Sequence, residues 1–184
     1  MIRSARPHAV VRAAGLQRPC RFARNVREKA RQMRERKAAR LLVINPACEV
    51  LLFRFVHTQD ALAGTSHRAT PGGGLEQGES FQEAAIRELW EETGIRVERV
   101  DAPVADRRVS LMLPDGETVL AVEQYFVIHV QDQTLCSAEW ALHEREVMAE
   151  HRWWTAQDLQ ATKETVWPER LAAILVEAGV FAPV

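Results

Sequence analysis

Glu88, Glu91 and Glu92 fall within about one turn of "FQEAAIRELWEETGI", a stretch with the composition of a helix. Carboxylates three and four residues apart on a helix face each other and repel, each pair by a few tenths of a kcal/mol. All three lie near the end of the segment, where the helix dipole is negative and disfavours anions. At about 100° per residue they span roughly 100° of one face. Phe81, Ala84 and Ala85 share that sector, so partial burial adds to the cost. Arg87 can offset part of it by pairing with Glu83 or Glu91, but one cation does not neutralise the cluster. A hard divalent cation would. Carboxylate oxygens at this density suit Mg²⁺ or Mn²⁺, with water and a substrate phosphate completing the octahedron. A solvent-exposed acidic helix is the plain alternative.

The flanking residues define the element that holds these groups. Ser80-Phe81-Gln82-Glu83 matches a capping box, which starts the helix near Phe81. Gly94 stands where a left-handed residue ends one, after Thr93. Gly72, Gly73 and Gly74 precede it and allow backbone to approach the site without a Cβ. No Gly-Lys-Ser/Thr follows them, which excludes a Walker A loop.

From Gly73 to Ile95 the chain resembles the Nudix box, G-x5-E-x7-R-E-U-x-E-E-x-G-U with U aliphatic. Gly73, Glu79, Arg87-Glu88-Leu89, Glu91-Glu92 and Gly94-Ile95 occupy every specified position. The resemblance extends over roughly residues 38–180. It implies an α/β fold, the Nudix-type α/β/α sandwich with a mixed sheet. It also implies Mg²⁺-dependent hydrolysis of a diphosphate bond in a nucleoside diphosphate derivative or related organic pyrophosphate. By matched position, Glu88, Glu91 and Glu92 are the implied metal-binding carboxylates, joined by the Gly73 carbonyl. Glu88 or a neighbour would help activate water, Arg87 would orient a box glutamate, and Glu79 would hold the loop against the helix. Positioning and electrostatics supply most of the catalysis in such phosphoryl chemistry.

Outside the box the candidates are less defined. A further acid is expected from outside the box, with Glu123 in "VEQYF" and Glu144 or Glu146 in "LHEREV" as candidates; any one of them alone reads first as a surface carboxylate. Arg54 and Arg68 could contact substrate phosphates. Trp153 could stack on a ring, although "RWW" beside a strand also reads as core. "HEREV" has Val147 where a zinc-protease motif needs its second histidine, which rejects that motif.

The elements expected around the helix follow from apolar patterning. "ARLLVINPACEVLLFRF" reads as two strands joined at Asn45-Pro46, followed by a loop to about Thr70. "VERVDAPVADRRVSLML" and "ETVLAVEQYFVIHV" read as strands paired around Pro114-Asp115-Gly116. Residues 131–150 read as a long loop with a short helix, and "HRWWT" as a last short strand. Thr155 could cap a short helix, and Pro168 is expected in the first turn of a final one, from Glu169 to about Glu177.

The chain has 184 residues, 47% hydrophobic and 27% charged, ordinary for one globular domain. No apolar run is long enough to span a bilayer, so no membrane role is expected. Cys20, Cys48 and Cys136 contain no CxxC pair, which fits a reduced cytoplasmic setting. The net charge of −1 hides an asymmetry: residues 1–40 hold thirteen Lys and Arg against Glu28 and Glu35, net +11, leaving −12 on the remainder. Residues 1–37 are therefore expected to be a basic extension, flexible or partly helical, and residues 38–184 the catalytic domain. Such an arm is mostly a solvated extension. Its arginine-rich, acid-poor composition also resembles a transit peptide. Met33 could serve as an alternative start. An RNA 5′-end pyrophosphohydrolase that uses the arm is the second reading of function. A non-catalytic Nudix-like ligand sensor is the third, against which the complete box counts. The expected partner is a small nucleotide-type substrate, with a homodimer left open.

Overall fold

In the computed structural model the described residues are 33–131, 134–135 and 148–183. The first strand, β1 (Glu35–Ile44), turns at Asn45–Glu49 into β2 (Val50–Val56). The turn is held by the Asn45 side chain, whose Oδ1 accepts the Ala47 and Glu49 N–H groups at 3.0 and 2.9 Å. β3 (Ser66–Ala69) leads into the glycines and α1 (Phe81–Thr93). Then come β4 (Ala105–Met112), β5 (Thr118–His129) and β6 (Met148–Trp154). The chain ends through α2 (Ala156–Ala161), β7 (Val166–Trp167) and α3 (Leu171–Glu177).

The seven strands form one mixed sheet, with β4-β5-β1-β2-β3-β7 in order and β6 paired to β2. β1 runs parallel to β5 from Glu35↔Leu120 to Ile44↔His129, and β4 is antiparallel to β5. Alternation along β1 explains the layering. Ala39, Leu41 and Val43 join a core with Ala84, Ala85 and Leu89 of α1, whereas Leu42 and Ile44 join one with Leu171, Ile174 and Leu175 of α3. Strands buried on both faces read as continuous apolar runs, as "LLVI" and "VLLF" do. The result is the expected α/β sandwich. The two outer strands come close on the inner side: Arg107 of β4 lies over the Trp167 ring of β7, 5.2 Å from its centroid. The sheet is therefore curled.

Several expected elements shift. The stretch read as a loop before the glycines contains β3, whose polar "SHRA" carries little strand signal. Residues 97–104 lie outside β4; Pro103 has no N–H to give a ladder. "HRWWT" is not the last strand, since β7 follows it. Pro168 lies before the final helix: its carbonyl accepts the Leu171 N–H at 2.9 Å in a turn, and α3 begins only at Leu171.

Candidate active site

Ser80 opens α1 as its sequence indicated. Its Oγ accepts the Glu83 N–H at 3.2 Å, and the Glu83 carboxylate accepts the Ser80 N–H at 2.8 Å. Gly94 closes the helix at φ 75°, donating to the Trp90 carbonyl. Glu83 is thus engaged at the cap, and Arg87 does not pair with it. Arg87 directs its N–H groups elsewhere. Nε and Nη2 reach the two Glu79 oxygens, each at 2.9 Å. Nη2 also donates to the Gly74 carbonyl at 2.9 Å. Nη1 reaches Glu88 at 2.8 Å and Glu91 at 2.9 Å. Glu79 also accepts the Glu76 N–H at 2.8 Å, which fastens the loop. The Arg87 hydrogen bond holds the Glu79 carboxyl below its ordinary range, and the Glu79, Glu88 and Glu91 bonds push the guanidinium up.

The glycine loop is fitted to these carboxylates. Gly72 has φ 120°, where only glycine is at ease, and its N–H donates to Glu92 Oε2 at 2.6 Å. A Cβ on Gly73 would collide with the Glu88 carboxylate. The Gly73 carbonyl accepts the Ala39 N–H at 3.0 Å, which uses one of its two lone pairs. Glu88 and Glu92 are buried, at 6% and 4% exposure, while Glu91 is more open. All three line a cavity of about 840 Å³ together with Gly72, Gly73 and Gly74.

The opposite wall is basic and aromatic. Arg40 of β1 donates to the Gly72 carbonyl at 2.8 Å and to Glu123 at 3.0 Å. Glu123, 2% exposed, also accepts from Arg107 at 3.1 Å and from the Tyr125 hydroxyl at 2.7 Å. Burial would raise the Glu123 carboxyl, but Arg40, Tyr125 and Arg107 outweigh it and hold it below the ordinary range. It is a fixed anion that aims two arginines, a poor proton acceptor. Burial followed by Glu123 pushes the Tyr125 phenol well above its ordinary value. His57, His67, Val109, Leu111 and Trp167 complete the wall.

The sequence-selected residues separate accordingly. Glu88, Glu91, Glu92, Arg87, Gly72, Gly73, Gly74 and Glu123 meet at the cavity. Arg68 does not line it: it is buried, bonded to Glu164 at 2.8 Å and to Glu150, and lies over the Trp154 ring. Arg54 is its register partner on β2 and is likewise absent from the lining. Trp153 packs against the α1-side core. Glu144 and Glu146 lie outside the described residues. Arg36, Arg40, Arg107, His57, His67 and Trp167 were missed. The two β1 arginines were hidden in a basic run, although alternate spacing on a strand puts both on one face.

No group of three His, Cys, Asp or Glu side chains among the described residues is gathered to ligand spacing. The donor set nevertheless fits a hard divalent cation. Three carboxylates line one cavity beside Gly73, and Arg87 Nη1 holds Glu88 and Glu91 together.

The NUDIX domain family model matches residues 34–174. An RNA pyrophosphohydrolase of Cereibacter sphaeroides is 64% identical over 31 residues, 17% of this chain and 19% of the relative. The match thus spans about a fifth of that curated relative. Among solved structures, the MutT protein of Methanosarcina mazei Go1 superposes with TM-score 0.55 at 21% identity, covering 79% of this chain and 93% of the other. The NUDIX domain of Shewanella oneidensis NrtR, complexed with ADP ribose, gives 0.55 at 16%, covering 88% and 99%. These structural likenesses establish the fold.

Proposed function

The chain belongs to the NUDIX family of hydrolases, and we propose that it hydrolyses a diphosphate bond in a small nucleoside diphosphate derivative with Mg²⁺ or Mn²⁺. The observation that carries this reading is the Arg87 hub, which binds Glu79, Glu88 and Glu91 at once beside the glycine loop. Glu88, Glu91 and Glu92 would hold the metal, with the Gly73 carbonyl as a further oxygen. When bound, such an ion screens phosphate oxygens and lowers the pKa of a coordinated water. The chain's own residues do the rest. Arg87 keeps two carboxylates from swinging apart. The Gly72 N–H fixes Glu92, and Arg40 fixes the Gly72 carbonyl in turn. Glu88 or a neighbour would take a proton from an attacking water; Glu123, held as an anion by Arg40 and Arg107, would not. The apolar and aromatic part of the wall, with Val109, Leu111 and Trp167, suits a ring-bearing leaving group. A cytoplasmic setting belongs to the same reading and rests on cysteine usage.

Glu92→Gln removes one ligand charge and keeps the side-chain shape. It is expected to cut kcat by about two orders of magnitude or more with the fold intact. A phosphate-release screen over nucleotide sugars, dinucleotides and nucleoside triphosphates with Mg²⁺ would read this. Full activity in EDTA, or in Glu92→Gln, would sink the proposal.

The basic arm and the short match to an RNA pyrophosphohydrolase favour one second reading, hydrolysis at the 5′ end of RNA.

A further inference from the structure

Every other arginine that lines the cavity is committed. Arg87 has three carboxylates and a carbonyl, Arg40 has Glu123 and the Gly72 carbonyl, and Arg107 has Glu123 and Glu169. Arg36 differs. It lines the same cavity, yet among the described residues its guanidinium makes no side-chain hydrogen bond and no close ion pair, and Glu88 and Glu123 act on it only at longer range. Its Nη2 lies 3.0 Å from where a Cβ on Gly74 would stand, so the absence of a side chain at Gly74 gives the guanidinium its room. β1 fixes its direction, since Arg36 and Arg40 are four residues apart on one face of an extended strand.

This placement is costly. Burial and the neighbouring Arg40 cation push the Arg36 guanidinium below the ordinary arginine value, while Glu88 and Glu123 pull it back. A half-buried cation beside another cation, with no bound acceptor, destabilises the protein that carries it. Two explanations compete. As a structural residue, Arg36 would have a protein acceptor, as Arg68 has in Glu150 and Glu164. As a ligand-binding residue, it would be left unpaired until an acceptor arrives. Its five N–H groups form a planar fork suited to a phosphate, and it stands across the glycine loop from the box carboxylates.

We propose that Arg36, opposite Gly74, is a substrate-binding residue that receives an anionic phosphate group of a diphosphate. This deepens the reading of the cavity as a diphosphate-hydrolase site and rests on it. An anion there meets the Arg36 fork on one side and lies within the field of Arg40 on the other. Glu88, Glu91 and Glu92 would hold a metal and Arg36 a phosphate within one cavity.

The test uses the full-length chain and imidodiphosphate, a non-hydrolysable diphosphate, titrated calorimetrically with and without Mg²⁺. Arg36→Gln is expected to weaken binding by about 10- to 100-fold, the loss for charge-assisted hydrogen bonds. Arg36→Lys keeps the charge without the fork and should fall between. The melting temperature of unliganded Arg36→Gln should equal or exceed that of the wild type, which a structural arginine would not allow. Equal affinity of wild type and Arg36→Gln would overturn the proposal. So would a wild type that does not bind the probe, or an Arg36→Gln variant with a clearly lowered melting temperature. Hydrolysis is read separately. A wild type that binds through Arg36 yet hydrolyses nothing refutes the reaction and leaves the anion site standing. Hydrolysis with Arg36-independent binding does the reverse.

Discussion

His67 is stacked between Phe55 and His57, with ring centroids 5.3 and 5.6 Å away. Burial, then the neighbouring His57 and Arg40, pushes its imidazole down to about 4. An unfolded histidine titrates near 6.5. Between these values the unfolded chain takes up a proton that the folded chain refuses. His67 therefore costs no stability above about pH 6.5, and stability drains away as pH falls toward 4. His67→Phe keeps a ring in the stack and removes the titration. Its urea midpoint should stay flatter than that of the wild type from pH 6.5 to 4. The depressed carboxylates respond lower, since a group like Glu123 begins to cost stability only below the ordinary glutamate value near 4.3. Parallel loss in the two proteins across the upper window would refute this account. Neither this stack nor Arg36 could be read from sequence. The stack depends on the pairing of β2 with β3 and the Arg36 site on the glycine loop lying against β1, and their local patterns are those of an ordinary loop and an ordinary basic run.

At the scale of the element, α1 carries its contradiction openly. Its last turn holds Glu91 and Glu92 and no basic residue. Three carboxylates, Glu79, Glu88 and Glu91, share one guanidinium, while Glu92 takes the Gly72 N–H. Glu91 has the most exposed side chain of those paired with Arg87 on this helix, at 41%, so its ion pair contributes little. A glutamine there still offers an amide oxygen to Arg87 and no longer repels Glu88. Glu91→Gln is therefore expected to raise the metal-free melting temperature by about 1–2 °C. Mg²⁺ at saturating concentration should raise the wild type by several degrees and the variant by less, because binding to the folded state shifts the equilibrium. Calorimetric scans with and without Mg²⁺ decide it; an unmoved wild-type curve would count against a metal on this helix. α1 was legible to the residue because cap, periodicity and terminal glycine agree. The short strands β3 and β7 were not. They owe their strand geometry to neighbours that the local sequence does not name.

The whole molecule divides its charge more sharply than composition suggested. Of the basic residues counted to residue 40, Arg34 pairs with Glu117, Arg36 lines the cavity and Arg40 is bonded to Glu123. These belong with the sheet, where β1 starts at Glu35. Residues 1–32 keep nine Lys and Arg against Glu28, a net +8. A chain begun at Met33 retains all of β1 and every described cavity residue. It is expected to fold and to hydrolyse a nucleotide sugar with unchanged kcat/KM. RNA distinguishes the two readings of function. If the substrate is a 5′-triphosphorylated RNA, the arm binds phosphates beyond the cavity. Removing it would then weaken binding and flatten the dependence of affinity on salt, by a slope of about 0.7 for each single-strand phosphate no longer neutralised. Full-length and shortened proteins compared on both substrates across a salt series read this directly. Equal behaviour on both substrates leaves the cavity as the whole recognition surface. A selective loss on RNA, steepest at low salt, moves the reaction to RNA ends and gives the arm its role.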